Sequence, residues 1–234
     1  MVQACRVITA PLLLGVFGGQ RPRPTLSQIV RRRALVTMAA ASKTVLVPIA
    51  NGTEEMEAVI VIDVLRRAGA TVDAASVSPD GSLAVKCSRG VVLQADKTIT
   101  ECQGISYDMI VLPGGMPGAE NLRDCGILID MLKAQQKVGK PFAAICASPA
   151  VVLETHGLLD GTKRATVHPA FEGPLQNNGR VDIQHRVVVD GNVTTSRGPG
   201  TAFEFALTLV SQLFGKEKAA EVAGPMVMYP HDLP

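Results

Sequence analysis

The chain has 234 residues, of which 47% are hydrophobic and 19% are charged, so it is long and apolar enough to bury a sizeable core. Aromatic residues make up 3% of it and tryptophan is missing, which argues against a surface that stacks nucleic-acid bases. The five cysteines include no C-x-x-C pair, which argues against a disulfide framework and a structural zinc site and favours a reducing compartment.

The first 41 residues differ in composition from the rest, and we expect them to form a targeting extension or a disordered segment. They contain six arginines, and no acidic residue precedes Glu54, which favours a mitochondrial or plastid transit peptide. The apolar stretch at residues 7–17 is too short to span a bilayer, and the arginine-rich continuation and unpaired cysteines fit a secretory signal poorly. The alternative is a cytoplasmic protein whose translation starts at Met38.

Residues 42–234 are predicted to form a single domain. Without the arginines of the extension, the chain has 17 basic and 21 acidic residues, so the domain offers no basic surface for nucleic acid. Apolar runs and alternating patterns predict strands at 44–50, 71–77, 107–113 and 141–145, an irregular pair or hairpin within 82–93, and a hairpin at 186–196 with the turn Asp190–Gly191. Helical spacing predicts helices at 54–68, 119–137, 202–214 and directly after Cys146. This alternation predicts an α/β fold with a mostly parallel sheet and helices on both faces.

Three loops follow predicted buried strands: residues 51–57, residues 113–118 with the sequence PGGMPG, and residues 146–149 with the sequence CASP. The carboxyl ends of parallel strands meet at one edge of the sheet, and the ligand sites of such folds form there. We therefore expect the chemistry where these three loops converge.

Glu57 is the first candidate catalytic residue. On the predicted helix it shares one face with four apolar residues: Val61, Val64, Leu65 and Ala68. A carboxylate in the first turn of a helix is favourable without any function, but Glu54 and Glu55 already supply that charge. A further glutamate on the core-facing stripe needs a partner or a raised pKa, which favours a functional role.

Cys146 and the paired glycines of the PGGMPG loop are the next candidates. A cysteine between a buried strand and a helix matches an elbow that exposes a nucleophile, and the small Ala147 and Ser148 leave room for the turn. A helix N-terminus also stabilises a thiolate. Gly114 and Gly115 let the main chain approach a ligand, and their amides can face an oxyanion. On these residues alone, an inert core cysteine and an ordinary turn remain the alternatives.

His168, Arg89 and Arg197 give weaker signals. His168 could move a proton or orient a neighbouring group. The two arginines stand beside glycines in loops, where they suit either an anion or structural pairing with carbonyls. For each of the three taken alone, the structural interpretation is favoured.

Six segments point to one family when they are taken in order: GTEEMEAV, KCSRGVV, YDMIVLPGGMPGAENL, AAICASPA, TVHPAF and TSRGPGTAFEFAL. Together they resemble the ThiJ/PfpI superfamily, and more specifically its Parkinsonism-associated protein deglycase branch, over residues 42–225. The resemblance implies a flavodoxin-like three-layer sandwich that assembles as a homodimer. The N-terminal extension lies outside it.

The resemblance also implies a role for each site residue. It makes Cys146 the nucleophile, Glu57 the glutamate hydrogen-bonded to its thiol, and His168 a residue of the pocket. The oxyanion and substrate-binding groups that it implies are the amides around Gly114, Gly115 and Ala147. The side chains that it assigns to an oxidised cysteine or to the dimer-side wall are those of Arg89 and Arg197.

The implied activity is the conversion of methylglyoxal or glyoxal to hydroxy acids, together with reversal of early glycation on Cys, Lys and Arg side chains, without a cofactor or a metal. Ready oxidation of the cysteine makes an oxidative-stress sensor with chaperone-like activity the alternative. Ala147 stands where the protease-like branch has a histidine, which makes a peptidase the weakest interpretation. Ser148 replaces a common glycine, and we expect it to narrow the room beside the elbow and to alter substrate fit.

Overall fold

The computed structural model describes residues 42–228, so the predictions of a transit peptide, a disordered extension and a start at Met38 lie outside the described residues. The strands are β1 (Thr44–Ile49), β2 (Thr71–Ser76), β3 (Ala84–Lys86), β4 (Val92–Gln94), β5 (Lys97–Thr98), β6 (Met109–Leu112), β7 (Phe142–Ile145), β8 (Val187–Asp190) and β9 (Val193–Ser196). The helices are α1 (Glu55–Arg67), α2 (Gly118–Arg123), α3 (Gly126–Lys137), α4 (Glu172–Asn177), α5 (Ala202–Phe214) and α6 (Lys216–Ala223), and a π-helical segment covers Pro149–Glu154. Within residues 42–228, no helix combines the length and the apolarity needed to cross a membrane.

Seven strands form one sheet in the order β5-β2-β1-β6-β7-β9-β8, and neighbours are parallel except in the β8–β9 hairpin. The central strands β1, β6 and β7 are continuous apolar runs because both faces of the sheet are covered. β3 and β4 pair antiparallel in a separate two-stranded ladder, which confirms the predicted hairpin in that region. The carboxyl ends of β1, β6 and β7 lie side by side at one edge.

Alternate residues of the central strands pack into two apolar cores, one on each face of the sheet. On one face, Val45 and Val47 of β1 pack with residues of α1 and α5, including Phe205. On the other face, Leu46 packs with residues of α3 and of the π-helical segment, including Leu132. The result is three layers, so the predicted flavodoxin-like α/β sandwich is confirmed.

Several predicted elements have different bounds in the structure, and two of these differences have a clear physical cause. The helix expected at 119–137 is two helices, because Cys125 has an extended backbone with ψ of 97° and interrupts the helical hydrogen bonds. The residues around this break have low helix propensity, which the apolar spacing of the segment concealed. The hairpin turn consists of residues 191–192, because Asp190 pairs with Val193 inside the ladder. The Asp190 carboxylate accepts hydrogen bonds from the amides of Lys163 and Arg164 at 2.6 and 2.8 Å, which ties it to a neighbouring segment.

Candidate active site

The three loops at the carboxyl edge are pressed against one another through glycines. The amide of Glu54 donates to the carbonyl of Gly114 at 2.9 Å, which joins the first loop to the second. Gly115 has φ of +89°, and a Cβ there would lie 2.3 Å from the Glu54 nitrogen and 2.5 Å from the Gly52 oxygen. A Cβ on Gly114 would lie 2.5 Å from the Cys146 Cβ, which brings the third loop into the same contact. The convergence expected from the sequence therefore depends on residues without a side chain.

Cys146 has a left-handed backbone at the end of β7. Its φ is +65°, a conformation that non-glycine residues adopt only when the surrounding structure enforces it. Its amide donates to the carbonyl of Ser196 and its carbonyl accepts from the amide of His168, both at 3.0 Å, so both sides of the elbow are fixed. The residue is 9% exposed, at the boundary between core and solvent. This is the geometry predicted for an elbow nucleophile.

Glu57 lies fully buried on α1 and faces the same corner. Its amide donates to the Oε2 of Glu54 at 2.8 Å, so Glu54 caps the helix, and its own Oε2 accepts from the amide of Gly114 at 2.7 Å. Its Oε1 is buried and has no hydrogen-bond partner among the described residues. Burial raises the pKa of Glu57 to about 7, and the charge of Glu54 adds to this, while the Gly114 amide opposes it.

The thiol of Cys146 and the carboxyl of Glu57 act on each other's protonation. Burial, and then the negative charge of Glu57, raise the pKa of Cys146 to about 12, whereas the amides of Gly115 and Ala147 lower it. The net shift is opposite to the one expected for a thiol at a helix N-terminus, because the thiol is buried beside a carboxylate. Glu57 ionises first, and its charge then opposes ionisation of the thiol, so above about pH 7 the pair keeps one proton, held mainly on sulfur, and carries one negative charge. Such a pair can hold a proton at either sulfur or oxygen.

The structure brings only the main chain of His168 to the nucleophile. Its amide bonds the Cys146 carbonyl, while its Nδ1 accepts from the amide of Ala170 at 3.2 Å. The ring is half-buried beside Gly198, where a Cβ would lie 3.4 Å from the ring carbon Cδ2. Among the described residues, the imidazole makes no hydrogen bond to the Sγ of Cys146.

The two arginines are placed by structural contacts. Arg89 is exposed, and its amide donates to the two carboxylate oxygens of Glu55 at 2.9 and 3.1 Å. Arg197 donates from its guanidinium to the carbonyl of Ile183 at 3.0 Å and to the carboxylate of Glu172 at 2.9 Å. Within the described residues, neither guanidinium bonds the thiol of Cys146.

The hydroxyl of Ser148 faces the main chain of the neighbouring loop, and the expected effect of this residue on substrate fit stays a prediction. The residue is fully buried, and its hydroxyl donates to the carbonyl of Pro113 at 2.6 Å, so it links the elbow to the neighbouring loop. A separate cavity of about 420 Å³ opens beyond the carboxyl ends of β1, β2 and β5, next to the start of α3, and Cys146 and Glu57 are not among its lining residues. The capping role of Glu54 was also missed, although its spacing of three residues from Glu57 is typical of a helix N-cap.

Comparison with known proteins shows the family of the chain. The model of the DJ-1/PfpI family matches residues 43–212 of the chain. Protein DJ-1 homolog B of Arabidopsis thaliana is 46% identical over 209 residues, which are 88% of this chain and 47% of that protein. The chain spans about half the length of the two Arabidopsis relatives that it matches.

Two further relatives match over nearly their whole length. Glutathione-independent glyoxalase DJR-1.2 of Caenorhabditis elegans is 35% identical over 191 residues, which are 82% of this chain and 99% of that protein. The structure of oxidised Toxoplasma gondii DJ-1 is 47% identical, covers 81% of this chain and 100% of its own, and superposes with a TM-score of 0.77. The resemblance seen in the six sequence segments is confirmed by these matches, and the chain belongs to the DJ-1/PfpI family.

Proposed function

We propose that the chain is a cofactor-independent glyoxalase and protein deglycase, which acts on methylglyoxal, glyoxal and early glycated side chains through Cys146. The observation that supports this most is the Cys146 thiol on a strained elbow beside a buried glutamate whose pKa is about 7. A general base is most effective when its pKa is close to the working pH. The name of the C. elegans relative, a glutathione-independent glyoxalase, agrees with the proposed reaction.

In the proposed reaction, the sulfur of Cys146 bonds the aldehyde carbon of methylglyoxal, and Glu57 takes the thiol proton and returns it to the carbonyl oxygen to give a hemithioacetal. Glu57 then removes the proton on that carbon and delivers a proton to the neighbouring carbon, which yields a thioester of lactate. Water cleaves the thioester, so methylglyoxal and one water give lactate and the free thiol. The amides of Gly115 and Ala147 stabilise the oxyanions, and His168 assists protonation.

The test is lactate formation from methylglyoxal by the wild type, Cys146→Ala and Glu57→Gln. Cys146→Ala is expected to remove turnover, and Glu57→Gln to lower kcat by about 10²- to 10⁴-fold, the usual contribution of a general acid–base. Cys125→Ala is the matched control, since Cys125 is a partly exposed thiol away from the elbow. Wild-type turnover in Cys146→Ala would contradict the proposal.

A redox sensor with chaperone-like activity is the second candidate. The 9% exposure of Cys146 favours it, and so does the oxidised state of the T. gondii relative. Two peroxide molecules would convert the thiol to a sulfinic acid, release two waters, and leave an anion that accepts a hydrogen bond from protonated Glu57. Intact mass after graded peroxide separates the candidates: a gain of roughly 32 Da at Cys146 with negligible aldehyde turnover favours the sensor.

We also propose a homodimer. Four exposed apolar side chains flank the site on α1 and the β3–β4 hairpin: Met56, Val59, Val91 and Val92. The carboxylate of Glu55 joins these elements, because it accepts from the Ser88 hydroxyl at 2.9 Å and from the Arg89 amide. Light scattering on a sizing column should give twice the chain mass for the wild type and a monomer for Val92→Asp. A monomeric wild type would contradict this assembly.

Organellar targeting by residues 1–41 is the last part of the proposal. It is supported by the arginines and the missing acidic residues of that segment. Tags at each end, followed by imaging, test it: an N-terminal tag should be lost on import, whereas a cytosolic full-length product would contradict it.

A further inference from the structure

One peptide group of the site is hydrogen-bonded at both of its polar ends. It joins Pro113 to Gly114. Its carbonyl oxygen accepts from the hydroxyl of Ser148 at 2.6 Å, and its N–H donates to Oε2 of Glu57 at 2.7 Å. The hydroxyl, the peptide and the carboxylate therefore form one continuous chain of hydrogen bonds.

Two features allow this chain of hydrogen bonds to affect the protonation of Glu57. Both Ser148 and Glu57 are fully buried, so water does not screen the bonds between them. A carbonyl that accepts a hydrogen bond polarises its own peptide, and the N–H on the other end becomes a stronger donor. The Ser148 hydroxyl thus strengthens the bond that stabilises the ionised carboxylate, although it does not touch that carboxylate.

The same hydroxyl also fixes the position of the peptide. Ser148 is two residues beyond Cys146 on the elbow, whereas Pro113 lies on the neighbouring loop. A Cβ on Gly114 would lie 2.5 Å from the Cys146 Cβ, so the loop and the elbow are already in close contact. Without the hydroxyl, the buried Pro113 carbonyl would lose this hydrogen bond, which is unfavourable for a buried acceptor.

We propose that Ser148 is a positioning residue that sets the proton affinity of Glu57 through the Pro113–Gly114 peptide. The expected effect on turnover rests on the proposed function, whereas the expected effect on the reactivity of the Cys146 thiol rests on the geometry alone. The titratable groups that act on Glu57 among the described residues are Glu54 and Cys146, and both stay unchanged in the test variants.

The chemical readout is the alkylation of Cys146 by iodoacetamide, followed by intact mass across pH in Ser148→Ala and Ser148→Gly. Both variants remove the hydroxyl, and the second guards against failure of the first to fold. Above about pH 7 the pair holds one proton, so a weaker bond to the carboxylate shifts that proton from sulfur toward oxygen. We expect alkylation at about pH 8.5 to be roughly 1.5- to fourfold faster, with the gain shrinking below pH 7.

Two controls separate this effect from a loosened fold. Ser76→Ala removes another buried serine, whose hydroxyl donates to the Ser82 carbonyl at 2.6 Å away from the site, and should leave the alkylation profile unchanged. In a Glu57→Gln background, Ser148→Ala should no longer change the rate. The same acceleration in that background, or none in either Ser148 variant, would overturn the proposal.

The kinetic readout is the pH dependence of methylglyoxal turnover. Glu57 must be ionised to act as a base, so the acid limb of kcat should move up by roughly 0.2 to 0.6 of a pH unit in Ser148→Ala, with KM unchanged. An unmoved limb would contradict the inference. If the wild type has no turnover, the proposed function fails, while the alkylation experiment still decides the role of Ser148.

Discussion

Cys146 and Cys102 are both buried beside ionisable side chains, yet the two regions around them differ in main-chain geometry. Cys102 is fully buried in a 3₁₀ turn after β5, near Tyr107, whose hydroxyl donates to Asp73 at 2.7 Å. Burial is the largest cause of a raised pKa for both thiols. Cys146 differs by its φ of +65°, by its 9% exposure and by the two amides that act on its sulfur. An ionisable neighbour is thus common to both regions, and the elbow with its amides is what should make one thiol reactive.

The largest expected effect comes from a methyl group between the elbow and its neighbouring loop. Gly114→Ala would bring a Cβ to 2.5 Å from the Cys146 Cβ, so the loops must separate. We expect turnover to fall by about 10²-fold or more, since displacement of reacting groups by about 1 Å has this effect. Methylglyoxal kinetics measure it.

Gly104→Ala is the matched control in the Cys102 region. Gly104 has a positive φ of +81°, and a Cβ there would have no neighbour within 4 Å, so the change should cost about 1–2 kcal/mol of backbone strain and no turnover. Equal losses of turnover in both variants would mean that the contact at the elbow has no special role.

The next effect is on stability and has a definite pH dependence. The folded pKa of Glu57, about 7, is above its ordinary value of 4.5, so between these values the native state keeps a proton that the unfolded chain releases. Stability therefore falls as pH rises from 4.5 to 7 and stays lowered above that range. Glu57→Gln should be more stable than the wild type by about 3 kcal/mol at pH 8, with the gain shrinking toward pH 4.5. Urea unfolding at several pH values measures this gain in stability. A gain that is absent, or that does not change with pH, would contradict the prediction.

The smallest effect is expected in the Cys102 region, where the substitution should lower stability instead of raising it. Tyr107→Phe removes the hydroxyl that bonds Asp73, while Lys97 remains paired with that carboxylate at 3.1 Å. We expect a loss of about 1 kcal/mol in the free energy of unfolding, the usual contribution of one hydrogen bond, and unchanged turnover. A fall in turnover would show that the two regions are coupled.

The sequence predicted those parts of the molecule that depend on local patterns. The continuous apolar runs of β1, β6 and β7 and the helical stripe of α1 were enough to bring Glu57, Gly114 and Cys146 to one edge. Helix α5 has the bounds that its apolar spacing predicted. The two-residue strand β5 and the break before α3 were missed, because neither has a periodic signal of its own.

Contacts between distant residues account for the rest. The partners of Ser148 and Glu57 in the hydrogen-bond chain are 35 and 57 residues away along the sequence, so no local pattern indicates that they share a peptide. The direction of the Cys146 pKa shift likewise depends on how deeply the thiol and the carboxylate are buried together. Family resemblance indicated which residues meet, whereas their protonation required the three-dimensional arrangement.

The most direct test is the pH dependence of methylglyoxal conversion by the wild type beside Cys146→Ala. We predict that wild-type turnover falls as pH drops through about 7, where Glu57 gains its proton, and that Cys146→Ala has no turnover at any pH. Turnover at the wild-type rate in Cys146→Ala would contradict the account. So would a wild-type rate that stays constant, within the precision of the assay, between about pH 5 and about pH 8.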